Sequence, residues 1–207
     1  MARTRSARYD DIRKAILKKA AKLFADAGYA RSSIADLVET CGISRGALYH
    51  YFDSKQAILF AILDNHVGEL FAQVEAAVHS KGTVEEILQR VVDVVVSVNA
   101  GSPNEQRVLL NDLDLLSAKK QEAIKQLERN LVGAVADLLV RLDRHKRITR
   151  RTKKMYAMML FGIINYTYIW YDPQGPVPPS EFARLAVEIF LDGFETAPRP
   201  SVRSRLS

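Results

Sequence analysis

From Tyr9 to Ala27 apolar side chains return every third or fourth position, at Ile12, Ile16, Ala20, Leu23 and Phe24, with Arg13, Lys14, Lys18, Lys19 and Lys22 between them. That is the period of an amphipathic helix, and Gly28 stands where a left-handed residue would end it. A short helix over about 34–40 is expected next, capped by Ser32 or Ser33, with Ile34, Leu37 and Val38 facing inward. Cys41-Gly42-Ile43 reads as a turn, and Ser44 as the cap of a helix over Arg45–Tyr51. Asp53 or Ser54 then opens a long helix to about His79, striped by Ile58, Ile62, Leu63, Phe71 and Val74.

After the break Lys81-Gly82-Thr83, helical patterns follow at about 84–99, 104–117, 119–143, 150–171 and 179–196. Gly101-Ser102-Pro103, a charged turn near Arg144–Thr149 and Asp172–Pro176 separate them. The expected class is all-α. Residues 1–53 form a three-helix head, 54–196 a larger helical domain, and 197–207 a basic tail too poor in apolar residues to fold. No linker separates head from body, so the two are expected to move as coupled bodies.

Composition agrees and removes some options. Proline and glycine number only 7 and 10 in 207 residues, which favours helices over turn-rich β structure. The single cysteine, Cys41, excludes an internal disulfide and any multi-cysteine metal site, and a buried thiol there would act as a small hydrophobe. No uninterrupted apolar run reaches the roughly 18–20 residues of a membrane span. The basic N-terminus runs into an amphipathic segment, unlike a signal peptide. A soluble, cytoplasmic protein is expected, with no cofactor and no metal.

Charge divides unevenly. Residues 1–55 carry 11 Lys/Arg against 6 Asp/Glu, and residues 56–207 carry 19 against 18. A basic head on a nearly neutral body is the footprint of a nucleic-acid-binding domain joined to something else. An enzyme is disfavoured: there is no Ser/His/Asp order, metal-spaced His/Cys cluster or phosphate-cradling glycine loop. His50, His66, His79 and His145 are dispersed, and no catalytic residue is assigned.

Ser33–Phe52 has the layout of a helix-turn-helix. The second helix of such a unit enters the major groove with its N-terminal side chains toward the base edges. Ser44, Gly46 and Ala47 are small enough for close approach, and Arg45 can donate to guanine O6/N7 or to phosphate. Tyr49 and His50 suit phosphate or a thymine methyl. Ser33 and Lys55 lie at helix N-termini, where phosphate is favoured. Leu48, Tyr51 and Phe52 are expected in the core.

Phe24-Ala25-Asp26-Ala27-Gly28-Tyr29, Ser32–Leu37 and Gly42–Lys55, taken together, resemble the DNA-binding domain of the TetR family of repressors. The likeness runs from Phe24 to Lys55, 32 consecutive residues; Leu37–Cys41 departs from the usual pattern but stays apolar where it must. The resemblance implies about nine helices, a homodimer, and a ligand that releases the protein from a double-stranded operator. By that analogy Ser33, Arg45, Gly46, Tyr49, His50 and Lys55 are DNA contacts, with an arm bearing Arg3, Arg5 and Arg8 adding backbone or minor-groove contacts. It also implies that the last two long helices pair across a two-fold axis. Their apolar residues exceed what one chain covers easily: Tyr156, Met159, Phe161, Ile164, Tyr168, Trp170, Phe182, Leu185, Ala186, Ile189, Phe190 and Phe194.

A small-molecule effector would sit among the central helices, with Phe60, Leu109, Leu113, Met158, Phe161, Asn165, Tyr166, Tyr168 and Trp170 as lining candidates. Asn165, an amide in an apolar helix, needs a partner. Trp170-Tyr171-Asp172-Pro173-Gln174-Gly175-Pro176 is similar to a stretch in a TetR subgroup that includes acyl-CoA-responsive regulators. Arg141–Lys154 holds eight basic residues against Asp143, a patch suited to the phosphates of coenzyme A. Other hydrophobic or aromatic ligands remain open, as do a transcriptional activator of the same fold and a ligand-independent architectural DNA-binding protein.

Overall fold

Helix capping sets the order of the N-terminal elements in the computed structural model, which describes residues 2–196; the side chains of residues 2–6, Phe194 and Glu195 fall outside the description. The first helix, α1 (Ala2–Ala27), ends at Gly28, whose φ of 86° is a left-handed conformation open to glycine. Of the two serines that follow, Ser33 is the cap. Its hydroxyl accepts from the Asp36 amide at 3.2 Å, and its own amide donates to the Asp36 carboxylate at 2.7 Å. This reciprocal box starts α2 (Ile34–Cys41), while the buried Ser32 hydroxyl donates back to Gly28 O. Gly42, at φ 68°, closes α2, and Ser44 accepts from the Ala47 amide at 3.1 Å to open α3 (Arg45–Tyr51).

Next come α4 (Lys55–Val78), α5 (Val84–Gly101), α6 (Pro103–Asp112) with a 3-10 turn at Leu113–Leu115, and α7 (Ala118–Leu142). The chain continues through α8 (Lys153–Asn165), α9 (Thr167–Trp170) and α10 (Pro179–Thr196). With α8 and α9 taken as one interrupted helix, the described residues form nine helices and no strands.

Three boundaries differ from expectation. The first helix begins at Ala2 rather than Tyr9, so the expected arm is helical in its backbone; the side chains of Arg3 and Arg5 lie outside the described residues, as does the tail 197–207. The pattern at 104–117 stops at Asp112 and tightens into the 3-10 turn. The pattern at 150–171 starts later, because Thr149 and Thr152 bond to each other in a turn. It then breaks after Asn165, where the Thr167 hydroxyl donates to Ile164 O at 2.9 Å and competes with the helical ladder.

The chain divides into two compact units. The first holds the residues up to Ala72 together with Gly101–Asn130; the second holds Gln73–Ala100 and the chain from Leu131 onward. In the first, Ile16, Phe24, Leu37, Leu48, Ile58, Leu63, Val108 and Ile124 share one core, and α1 packs on both α2 and α6. In the second, the buried apolar residues include Leu88, Val92 and Val95 from α5, Leu138 and Leu139 from α7, Leu160 and Ile164 from α8, and Ala186 from α10. Among the described residues α4 alone has the length and apolar composition of a membrane span, but half of that window is buried inside the protein, as in a core helix.

Neighbouring residues on α3 do opposite work. Leu48 is 1% exposed and belongs to the core, whereas Tyr49 is exposed. Leu48→Ala is expected to lower unfolding stability in urea by about 2–5 kcal/mol. Tyr49→Ala should change it by no more than about 0.5 kcal/mol.

Candidate functional site

The outer face of α3 is built by exclusion. Leu48 and Phe52 are buried and Tyr51 is half-buried, so Ser44, Arg45, Gly46, Tyr49 and His50 are left exposed, with Ala47 half-buried beside them. A seven-residue helix is only about 10 Å long and would not persist alone. Its Ser44 cap and its buried residues hold it. The Arg45 guanidinium lies over the Tyr49 ring at 5.7 Å from the centroid, which orders both side chains on the exposed face. Gly46 has open space where a Cβ would project; packing within the chain does not require glycine there.

The sequence did not single out Tyr9 as part of this face. Its ring sits 5.8 Å from that of His50, edge-on, and 4.7 Å from that of Tyr51. This aromatic cluster ties α1 to the end of α3, and Arg13 lies over Phe52 at 5.1 Å. Leu48, Tyr51 and Phe52 are the core residues the sequence pattern marks on α3, but nothing in the sequence identifies Tyr9 as a partner on α1.

Ser33 and Lys55 are each held by internal bonds. The Ser33 hydroxyl donates to Asp36 at 2.9 Å, and the Ser33 backbone and side-chain hydrogen bonds together hold the Asp36 carboxyl below the usual carboxylate range. The Lys55 ammonium donates to Tyr29 O at 2.9 Å and Ser32 O at 2.7 Å, and sits 4.3 Å from the centre of the Tyr29 ring. An ammonium has three protons, so one is left over from these two bonds. Burial, and then the nearby Asp112, push the Tyr29 hydroxyl above its ordinary value. Cys41 is buried with its thiol pushed up by desolvation, partly offset by Lys19, whose ammonium donates to Cys41 O. That is the inert, packed thiol of a small hydrophobe.

The effector candidates are distributed between the units. Phe60, Leu109 and Leu113 belong to the first, where Leu109 is buried, Phe60 and Leu113 are half-buried, and Lys120 lies over the Phe60 ring. Met158, Phe161, Asn165, Tyr166, Tyr168 and Trp170 belong to the second. Phe161 is core and Tyr168 half-buried, whereas Met158, Tyr166 and Trp170 are exposed, the last two by about 60%. The partner of Asn165 is Asn99 on α5, whose Nδ2 donates to Asn165 Oδ1 at 3.2 Å. Asn99 is 2% exposed, and its Oδ1 has no hydrogen-bond partner. Its place in the stripe Val92, Val95, Val96, Asn99 was a sequence signal that had passed unused.

The basic turn is partly spent inside the chain. Arg144 pairs with Glu85 at 2.8 Å, Lys153 pairs with Asp137, and the buried Asp143 accepts from the His145 and Ile148 amides. The Trp170–Pro176 stretch forms the turn before α10. Asp172 receives the Gln174 and Gly175 amides, the Tyr171 hydroxyl donates to Val177 O, and both aromatic rings pack on Phe182.

Two family models match the chain: one for bacterial regulatory proteins of the tetR family over residues 16–62, and one for the tetracyclin repressor-like C-terminal domain over residues 81–194. A TetR-family transcriptional regulator from Bordetella parapertussis 12822, known by crystal structure, is 33% identical, with 90% of this chain and 97% of that one covered at a TM-score of 0.83. The HTH-type transcriptional repressor KstR2 of Rhodococcus jostii (strain RHA1) is 27% identical over 190 residues, covering 87% of this chain and 90% of the relative. AibR, crystallised with isovaleryl coenzyme A and operator DNA, shares the fold at 22% identity and a TM-score of 0.74, over 86% of this chain and 97% of that one.

The internal bonds of Lys55 make a prediction that needs no DNA. Lys55→Met leaves two carbonyls without their charged donor, and should lower urea-unfolding stability by about 1–3 kcal/mol. No loss would mean that the two bonds do not tie α4 to the preceding loop in solution.

Proposed function

Because the chain belongs to the TetR family of bacterial regulatory proteins, and is thus a DNA-binding transcriptional regulator, we propose that it is a repressor that leaves its operator when a hydrophobic effector binds. The observation that carries the DNA half is the exposed outer face of α3, where Arg45, Gly46, Tyr49 and His50 stand clear of the core beside the Ser44 cap. Arg45 would read guanine, with Tyr49, His50, Ser33 and the remaining proton of Lys55 toward phosphates. The sign of the response follows the repressor KstR2.

A dimer is part of this reading. Met155, Met158, Met159 and Ile163 form an exposed stripe at helical spacing on α8, and Tyr166 just beyond its end, with Ile169, Trp170, Leu185 and Ile189 of α9 and α10, adds exposed apolar area, Ile189 being 67% exposed. Contiguous exposure of this kind fits an interface, and a second copy of the same stripe is a self-complementary partner under two-fold symmetry. Two recognition helices would then meet successive major grooves about 34–36 Å apart on a pseudo-palindrome.

For the effector, we favour an acyl thioester of coenzyme A. The Trp170–Pro176 stretch and the AibR complex support that class, and Arg141, Lys146, Arg150, Arg151 and Lys154 are exposed cations in the basic turn. The effector acts only by binding one dimer conformation better than the other.

The experiment is a footprint on the protein's own promoter, repeated with isovaleryl, longer acyl and aromatic CoA thioesters, free acids and free CoA. A protected palindrome abolished by a thioester but not by its acid or CoA alone is the expected result. Diffuse, salt-sensitive binding would mean an architectural protein, and lower expression of the target on gene deletion would mean an activator. Arg45→Ala should weaken operator binding about tenfold or more and spare random DNA. Gly46→Ala should hold or raise stability, by up to about 1 kcal/mol, yet weaken operator binding by placing a methyl group against the bases.

Asn99 gives a sharper test of the effector proposal. Reversing its amide alone would set oxygen against oxygen at Asn165; reversing both amides only moves the unmet atom from Oδ1 to Nδ2. In either arrangement one end of Asn99 awaits a polar group, and an effector amide or hydroxyl suits it. Asn99→Leu should leave the melting temperature of the free protein unchanged or raised, while reducing release by the active thioester about tenfold or more. A lower melting temperature with normal release would make Asn99 purely structural.

A further inference from the structure

A cleft of about 240 Å³ opens between α1, α4 and the start of α6, wholly within the first unit and apart from every residue of the effector reading. Lys14 and Lys18 line it from α1, one helical turn apart, Glu69 lines it from α4, and Glu105 from α6. Among the described residues none of these four charged side chains has an ion-pair or hydrogen-bond partner, although both signs border one cleft. His66, 95% buried, also lines the cleft and is fixed by a 3.0 Å bond between its Nε2 and Gln106 Oε1, so this part of the wall is polar and ordered. The Ser102 hydroxyl makes no capping bond to α6.

The charges decide what fits. A plain anion would meet Glu69 and Glu105; a plain cation would meet the two lysines. Lys14, Lys18 and Glu69 are exposed and Glu105 is half-buried, so water already solvates them and an apolar guest would gain nothing from any of the four. A molecule carrying both signs a few ångströms apart satisfies both sets at once. The volume lies below the roughly 300–1,000 Å³ of sites for drug-sized ligands, and it suits a metabolite the size of an amino acid.

We propose that this cleft is a second ligand site, for a free zwitterionic amino acid. Its carboxylate is held between the Lys14 and Lys18 ammonium groups and its ammonium by Glu69 and Glu105, with the Ser102 hydroxyl available to either. The bound molecule joins α1, which packs beneath the helix-turn-helix, to α6.

The test is calorimetric titration of the full-length protein with each of the twenty L-amino acids at millimolar concentration. At least one should bind saturably, one per chain. Its N-acetyl derivative and its methyl ester, each lacking one charge, should bind about tenfold or more weakly. Glu69→Gln, an exposed and isosteric change read in a folded chain, should weaken binding by a similar factor, as should Lys14→Met. The proposal is overturned if none of the twenty binds, if the acetylated or esterified form binds as tightly as the parent, or if both variants bind like the wild type. These outcomes are independent of whether a CoA thioester releases the operator.

Discussion

The Lys55 ammonium determines how the helix-turn-helix is carried. It closes the loop between α1 and α2 by binding two carbonyls, Tyr29 O and Ser32 O, and packs on the Tyr29 ring, while its own backbone begins α4. Ser32, thus held, precedes the Ser33–Asp36 box that starts α2. The start of α4 and the start of α2 are therefore fixed to one another through a single charged group. A neutral residue of the same length would fill the space and lose the tie, because only a cation with several protons can serve two carbonyls and an aromatic face together.

Within that frame α3 needs little of its own. Seven residues cannot make a stable helix in water, so its shape is dictated by the Ser44 cap on one end and by Leu48 and Phe52 beneath. The exposed face is thereby freed from structural work, and Gly46 illustrates the result: no neighbour crowds the position, so a larger side chain would be tolerated by the fold.

The parts of this protein legible in the sequence are those set by local chemistry. Gly28 and Gly42 end helices because a left-handed residue is needed there, the bounds of α3 follow from its Ser44 cap, and those of α10 from its apolar period. The break between α8 and α9 was not legible, since Thr167 breaks the ladder only once its hydroxyl turns to Ile164 O. The family could be read from the 32 residues Phe24–Lys55 because they form one unit whose spacing is itself the signal. The effector candidates fared otherwise. Periodicity marks a residue as apolar but cannot distinguish Phe161, inside, from Met158 and Trp170, outside. The Asn99–Asn165 pair joins residues 66 positions apart, and only the fold brings them together.

That pair gives α8 two unlike faces. Toward α5 it presents Asn165, bonded to an amide buried within an apolar stripe; away from the core it presents Met155, Met158, Met159 and Ile163. In the proposed dimer the outer face would pack on a second copy, and in the proposed effector response the inner face would meet the ligand. A ligand group that satisfies Asn99 competes with, or reorders, its bond to Asn165. Because α8 is a continuous helix from Lys153 to Asn165, a small turn about its axis at Asn165 is felt along the whole outer stripe. Close-packed interfaces have discrete arrangements rather than a continuum of them. A helix held on one side by an amide and, in the proposed dimer, covered on the other through methionines, which repack readily, is well suited to adopt two.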